Sequence, residues 1–215
     1  MSLIKRIKYV ITHELPGEKA HLDLSPLGRK RSSEALKKAE NPRESAVAIV
    51  LFQTANGIET ILIQRPTYNG NHSGQVCFPG GKMDAIDHDY IDTALRECSE
   101  EVGINRQELE HLGALTPIYI PVSNHYVQPH VFYHPSLPIT TPDPREVVEI
   151  FNFPLDYLMD KKRLKHTQIQ LPNGRILKNV PYFDIHKKIV WGATAIILNE
   201  FKEVYRKSIT NPSEQ

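Results

Sequence analysis

The chain has 215 residues, enough for one domain with an added arm or at most two small domains. Hydrophobic residues make up 40%, which supports a sizeable core, and the acids and bases cancel to a formal net charge of +1. That balance gives no sign of an electrostatic nucleic-acid binder, though a local basic cluster can still hold an anionic substrate. Cys77 and Cys98 provide no disulfide framework, and neither sits in a CxxC pair of the kind that holds zinc. The charged start Met1-Ser2-Leu3-Ile4-Lys5-Arg6 has no apolar stretch behind it, so no signal peptide is expected. The longest apolar run, Ala46–Phe52, is far too short to span a membrane. The expectation is a soluble cytoplasmic protein with neither nucleic acid nor membrane as a partner.

Residues 1–44 are rich in Lys, Arg, Glu and Pro with weak periodicity, and they read as an N-terminal arm packed on the main domain, with a short helix over 32–40. The main domain is expected over 45–207. Ala46–Phe52 is a short run of β-prone residues, read as a buried strand. Ala55-Asn56-Gly57 then separates it from Glu59–Gln64, a hairpin signal. Pro66–Gly74 reads as a loop, and Gly80-Gly81 as a second stretch dominated by backbone. A helix is expected over 88–102, strands near 112–120, 127–133 and 149–153, and a short helix over Pro154–Met159. A hairpin is expected at Asn173-Gly174, a last helix over 192–206 opening beside a packing Trp191, and a frayed tail from Ser208. Strands and helices mix without strict alternation, which favours an α+β or mixed α/β domain over a doubly wound sheet.

The helix over 88–102 carries the chemistry. Ile91, Ala94, Leu95, Cys98 and Val102 lie three and four residues apart and form one apolar stripe. Asp87 suits the N-cap, Asp89 the positive first turn, and Gly103 the C-terminal stop. Beside the stripe, Glu97, Glu100 and Glu101 fall within an arc of about 100°. Like charges at this spacing repel, and Arg96, four before Glu100, offsets only part of that. Hard oxygen ligands on one rigid element suit Mg²⁺ or Mn²⁺. A solvated acidic face is the other reading of the same carboxylates. The preceding Phe78-Pro79-Gly80-Gly81 favours the metal, because its glycines let the backbone approach an anionic ligand closely.

Other chemistries fall away. Of the ten histidines only His130 and His134 stand at HxxxH spacing, and they fall at a strand-like stretch rather than on an expected helix. His125 and His130 flank a strand-like region and read as structural, while His72, before Gly74, is the better candidate for substrate contact. Gly80-Gly81-Lys82 is not a phosphate-binding P-loop, since Met83 follows the lysine. Cys98 belongs to the apolar stripe rather than to a nucleophile site.

Gly81 through Ile104 resembles the Nudix box, with Arg96-Glu97-Cys98, Glu100-Glu101, Gly103 and Ile104 in register. Two departures stand in its first half: the stretch from Gly81 to Arg96 is one residue longer than the standard box, and Asp87 holds the first acid position. Arg65 and the run from His72 to Gly81 are similar to the motif that precedes the box in the coenzyme A pyrophosphatase branch, as are Thr93–Glu97 and Val190–Ala195. The second arginine of that branch motif is replaced here by Gly70.

The resemblance implies a Nudix-type α/β/α sandwich with a mixed sheet and a metal-dependent diphosphatase. Glu97, Glu100 and Glu101, with the Gly81 carbonyl, would ligate Mg²⁺ or Mn²⁺. Arg96 would orient the acids. Arg65, His72, Gly74, Gly80 and Lys82 would meet the substrate. The general base is left between the box helix, with Glu100, and a later loop, with Glu146, for which a solvated position at a strand entry is the alternative. The implied partner is a small nucleotide diphosphate: coenzyme A or acyl-coenzyme A, or ADP-ribose, a dinucleotide or an oxidised nucleotide. A non-catalytic binding module would be expected to lack box acids that are present here. A homodimer is compatible with all of this.

Overall fold

The computed structural model describes residues 1–25, 31–68, 70, 72–171 and 174–210. Strand β1 (Arg43–Thr54) is its axis. Its length lets it pair three ways. Its second half meets β2 (Gly57–Gln64) antiparallel, from Leu51↔Thr60 to Thr54↔Gly57. Its first half meets β4 (Gly80–Lys82), from Ser45↔Lys82 to Val47↔Gly80. Its other edge runs parallel to β7 (His125–His134), from Arg43↔His125 to Phe52↔His134. The sheet order is β3-β2-β1-β7-β5, with β3 (Val76–Cys77) and β5 (Glu110–Ala114) at its ends, β6 (Ile118–Ile120) on β7 and β8 (Glu149–Pro154) on β2. One parallel pair among antiparallel ones makes the sheet mixed, as expected.

Both faces of β1 are covered, which is why its apolar run is nearly continuous. Ala46, Ala48, Val50 and Phe52 pack with Ala94, Cys98 and Val102 of α4 (Tyr90–Val102). Ile49 and Leu51 pack on the opposite side with α1 (Leu3–His13) and α5 (Gly192–Thr210). The expected stripe of α4 therefore faces the sheet. Its N-cap is Asp89 rather than Asp87: Asp89 Oδ1 accepts from Asp92 N at 2.8 Å, because Asp87 is engaged by Arg96. Gly103 ends the helix at φ +74, as its C-terminal placement predicts.

The N-terminal residues are more regular than their composition suggests. α1 buries Ile7, Val10 and Ile11, each worth about 1.5–3 kcal/mol of transfer free energy before entropy. α2 (Glu18–Leu22) follows, and the helix expected over 32–40 is the shorter α3 (Ser32–Leu36). The strand expected near 112–120 splits into β5 and β6, because Pro117 has no N–H for a ladder and Thr116 N donates to Glu200. Past β8, the short helix expected over Pro154–Met159 is a 3-10 helix over Leu155–Met159. Strands β9 (Leu164–Gln170), β10 (Ile176–Ile185) and β11 (Lys188–Trp191) form a separate antiparallel sheet. The expected hairpin joins β9 to β10; Gly174 N bonds Leu171 O at 2.9 Å, and Asn173 lies outside the described residues. Trp191 ends β11, and α5 opens directly after it at Gly192, as expected. α5 runs to Thr210, past the expected fraying point, because Ser208 is buried and its hydroxyl donates to Val204 O at 2.8 Å. Residues 211–215 lie outside the described residues. No helix among the described residues is long and apolar enough to cross a membrane.

Candidate active site

α4 projects its acids toward β4 and a loop that crosses its C-terminal end. That loop follows β7: Thr141 N donates to Val102 O at 2.8 Å and Asp143 N to Glu101 O at 3.1 Å. These bonds satisfy carbonyls that a helix end leaves free. Gly103 permits the crossing, since a Cβ there would lie 2.8 Å from Thr141 O. The same loop carries Glu146 into the electrostatic surroundings of Glu97 and Glu101, although Glu146 itself is exposed.

Arg96 is the hub. Its Nε and Nη2 donate to Asp87 Oδ1 and Oδ2 at 2.9 and 2.8 Å, a two-pronged bond that holds the Asp87 carboxyl far below the usual carboxylate range. Its Nη1 reaches Glu97 Oε1 at 2.9 Å and Glu100 Oε2 at 3.0 Å, and Nη2 also donates to the Lys82 carbonyl. Asp87 thus anchors the arginine rather than joining the acids. Glu100, with 60% of its side chain exposed, leans outward on Arg96.

Glu97 packs directly on Gly81: a Cβ at that glycine would lie 2.4 Å from Glu97 Oε1. Burial raises the Glu97 pKa. Glu101 is almost wholly buried; Oε1 accepts from Arg65 Nη1 at 2.9 Å and Oε2 from Gly80 N at 2.8 Å. Burial, aided by Glu97 and Glu146 and opposed by Gly80 N–H and Arg65, moves it to about 7. A Cβ at Gly80 would lie 2.4 Å from Ala46 O, so only glycine lets this N–H approach. Cys77, beside Arg65 and Glu101, is pushed up to about 12 by burial.

The other expected contacts lie on the opposite face of the sheet. Gly81 faces α4, so the next strand residue, Lys82, faces away. Lys82 pairs with Ser45, whose Oγ lies 2.6 Å from His125 Nδ1. The His125 pKa is lowered by burial and then by the charges of Arg43, His72 and Lys82. His72 sits in the left-handed region (φ +65), its Nδ1 3.1 Å from Gln75 Oε1 and its Nε2 3.0 Å from Ser123 Oγ. Gly74 closes the same loop, its N–H donating to Pro66 O at 3.0 Å. Residues 69 and 71 of this loop lie outside the described residues. His130 is structural as expected, buried against His111 and lowered to about 4 by burial. Ser45 and Arg43 escaped the sequence reading, and His125 was read there as structural, because β1–β7 pairing, not spacing, assembles them.

Among the described residues, no group of three or more His, Cys, Asp or Glu side chains stands at metal-binding spacing. The donors nevertheless fit a divalent cation in kind. Glu97, half-buried, and Glu101, buried, offer hard oxygen donors that repel each other and are destabilised as anions, which is the imbalance a cation relieves. Arg96 holds Glu97 by Oε1, and Arg65 holds Glu101 by Oε1.

Residues 42–173 match the family model described as the NUDIX domain. The chain is 33% identical over 156 residues to the mitochondrial coenzyme A diphosphatase NUDT8 of Homo sapiens, covering 71% of this chain and 66% of that protein, just under two thirds of its length. It is 32% identical over 167 residues to an uncharacterized Nudix hydrolase, NudL, of Pectobacterium atrosepticum, covering 77% and 84%. Its fold is similar to the crystal structure of the Nudix hydrolase RenU from M. Smegmatis, with TM-score 0.53 and 13% identity over 82% of this chain and 96% of that one. It is likewise similar to a MutT protein from Methanosarcina mazei, with TM-score 0.50 and 18% identity over 78% and 96%.

Proposed function

The chain belongs to the Nudix domain family and is a hydrolase of that family, and from this premise we propose that it cleaves the diphosphate of coenzyme A or an acyl-coenzyme A. The products are 3′,5′-ADP and a 4′-phosphopantetheine species. The observation that carries the diphosphatase reading is the packing of Glu97 on Gly81 and of Glu101 on Gly80; burial, aided by Glu97 and Glu146, leaves Glu101 at about 7 despite two hydrogen-bond donors. The substrate rests on the run His72–Gly81 and on the likeness to NUDT8.

In this reading Glu97, Glu100, Glu101 and the Gly81 carbonyl hold Mg²⁺ or Mn²⁺. Such an ion, when bound, neutralises diphosphate charge and acidifies water. Arg96 positions Glu97 and Glu100 and is itself set by Asp87. Arg65 fixes one oxygen of Glu101. Glu146 accepts a proton from the attacking water, a role worth roughly 10²–10⁴-fold. Lys82 and His72 bind phosphate oxygens on the far side of β4. A cytoplasmic location belongs to the same reading.

Gly70, where the branch motif has arginine, favours a second reading: a Nudix diphosphatase for ADP-ribose, a dinucleotide or an oxidised nucleotide. The test is a panel of coenzyme A, ADP-ribose and NADH with Mg²⁺ or Mn²⁺, with and without EDTA. Coenzyme A turnover that EDTA abolishes is expected. Turnover of ADP-ribose but not coenzyme A replaces the substrate, and no turnover of any diphosphate removes the catalytic reading.

A further inference from the structure

A cleft of about 790 Å³ opens on the face of the sheet opposite α4. One wall is the loop with Gly70, His72 and Gly74, and the other is the β10–β11 hairpin with Lys187, Lys188 and Trp191. Gln64 lines the cleft, while its neighbour Arg65 meets Glu101. Successive strand residues face opposite ways, so the cleft and the acids flank the same end of β2. His72 lines the cleft, while Lys82 and His125 lie outside it.

The hairpin turn is unusual for its residues. His186 and Lys187 form a two-residue turn with φ of +51 and +64. Asn-Gly is the favoured pair for such a turn, and side chains held in this region carry strain that the surroundings must impose. Those surroundings are visible. His186 Nε2 donates to Asn152 O at 3.0 Å, and its ring packs near Phe151 and Tyr157.

The turn also leaves one charge unmatched. Lys188 is committed to Glu149 Oε2 at 2.8 Å and lies over the Phe151 ring. The Asp184 carboxylate takes Lys165 Nζ at 2.5 Å and the backbone N–H of Lys187. The Lys187 ammonium, exposed at the cleft, has no carboxylate partner among the described residues. The facing loop supplies no cation at Gly70. Trp191 adds a flat, half-buried ring to the same wall.

We propose that Lys187 is a specificity-determining residue whose ammonium binds a phosphomonoester on the nucleoside half of the diphosphate substrate, across the cleft from His72. This rests on the diphosphatase reading and adds to it the selection of substrates carrying a third phosphate.

Trp191 is the single tryptophan, so its fluorescence reports on the cleft without any turnover. The full chain is titrated with 3′,5′-ADP and with 5′-AMP. The expected result is about tenfold tighter binding of 3′,5′-ADP, with a change in Trp191 emission. Lys187→Ala brings the two nucleotides within about twofold of each other, and Lys187→Arg retains the difference. Lys187→Gly loses it while raising the melting temperature, since glycine relaxes the turn. In turnover, Lys187→Ala raises KM for coenzyme A but not for dephospho-coenzyme A, with kcat unchanged. Equal wild-type affinity for both nucleotides, or an unchanged preference in Lys187→Ala, overturns the assignment. Preferential 3′,5′-ADP binding without hydrolysis of any diphosphate supports the Lys187 site and removes only the diphosphatase reading.

Discussion

Two buried glutamates of this chain show how differently a fold can treat the same group. Glu200, on α5, receives four donors: Gly17 N and Thr116 Oγ1 on one oxygen, His21 Nε2 and Thr116 N on the other. Among the described residues no other acid is hydrogen-bonded to it, and it ties α2, the β5–β6 connection and α5 together. Glu101 receives two donors and is set among further acids. The first carboxylate is matched by its surroundings and serves structure. The second is left unbalanced, which costs stability and suits a site that awaits a cation.

Exchanging each acid for its amide sharpens this contrast most. Glu101→Gln is expected to lower kcat/KM at least about 100-fold while costing the metal-free protein less stability than Glu200→Gln, since the amide meets fewer donors and a burial-disfavoured charge is removed. Steady-state kinetics with saturating Mg²⁺ and thermal melts in EDTA measure both; near wild-type turnover would place the acids outside the chemistry. Glu200→Gln is expected to do the reverse. It sets an amide N–H₂ against existing donors, costing about 3 kcal/mol of stability, read by urea unfolding, with kcat per folded molecule retained.

The third prediction concerns pH. Burial raises Glu101 from 4.5 to about 7 in the folded chain. The folded state therefore holds this proton where the unfolded chain has released it. The associated stability is full below about pH 4.5 and is lost as pH rises through about 7. The expected fall is on the order of 3 kcal/mol at most. Melts in EDTA across this window should slope downward in the wild type and lose that component in Glu101→Gln, and Mg²⁺ should flatten the wild-type slope. A wild-type profile that matches Glu101→Gln would show that the two glutamates are not treated differently. The smallest effect is Asp89→Ala, which removes the α4 cap and costs about 1 kcal/mol without altering KM.

α4 was legible because its signals are local. The stripe from Ile91 to Val102, the acids beside it and the stop at Gly103 all lie within one short segment. Its cap was misplaced by two residues because Asp87 and Asp89 both qualify chemically. Arg96, one helical segment away, decides between them. Ile7, Val10 and Ile11 did carry a helical spacing, masked by the surrounding lysines and arginines. β9 and β11 had no comparable signal. Their residues are mostly exposed, and cross-strand pairing alone organises them. That Lys82 shares its face with Ser45, His125 and Arg43 was equally hidden, since Ser45 and His125 are 80 residues apart.

By itself the sequence determined the two-faced apolar strand β1, the stripe and acids of α4, the glycines at 80, 81 and 103, and a family motif specific enough to name the bond to be cleaved. Only the tertiary structure decided which acid is buried, which arginine holds it and which cations line the far face. Burial and through-space charge set a carboxylate's state, and both are fixed by partners such as Arg65 and Gly80 that lie tens of residues from Glu101 along the chain.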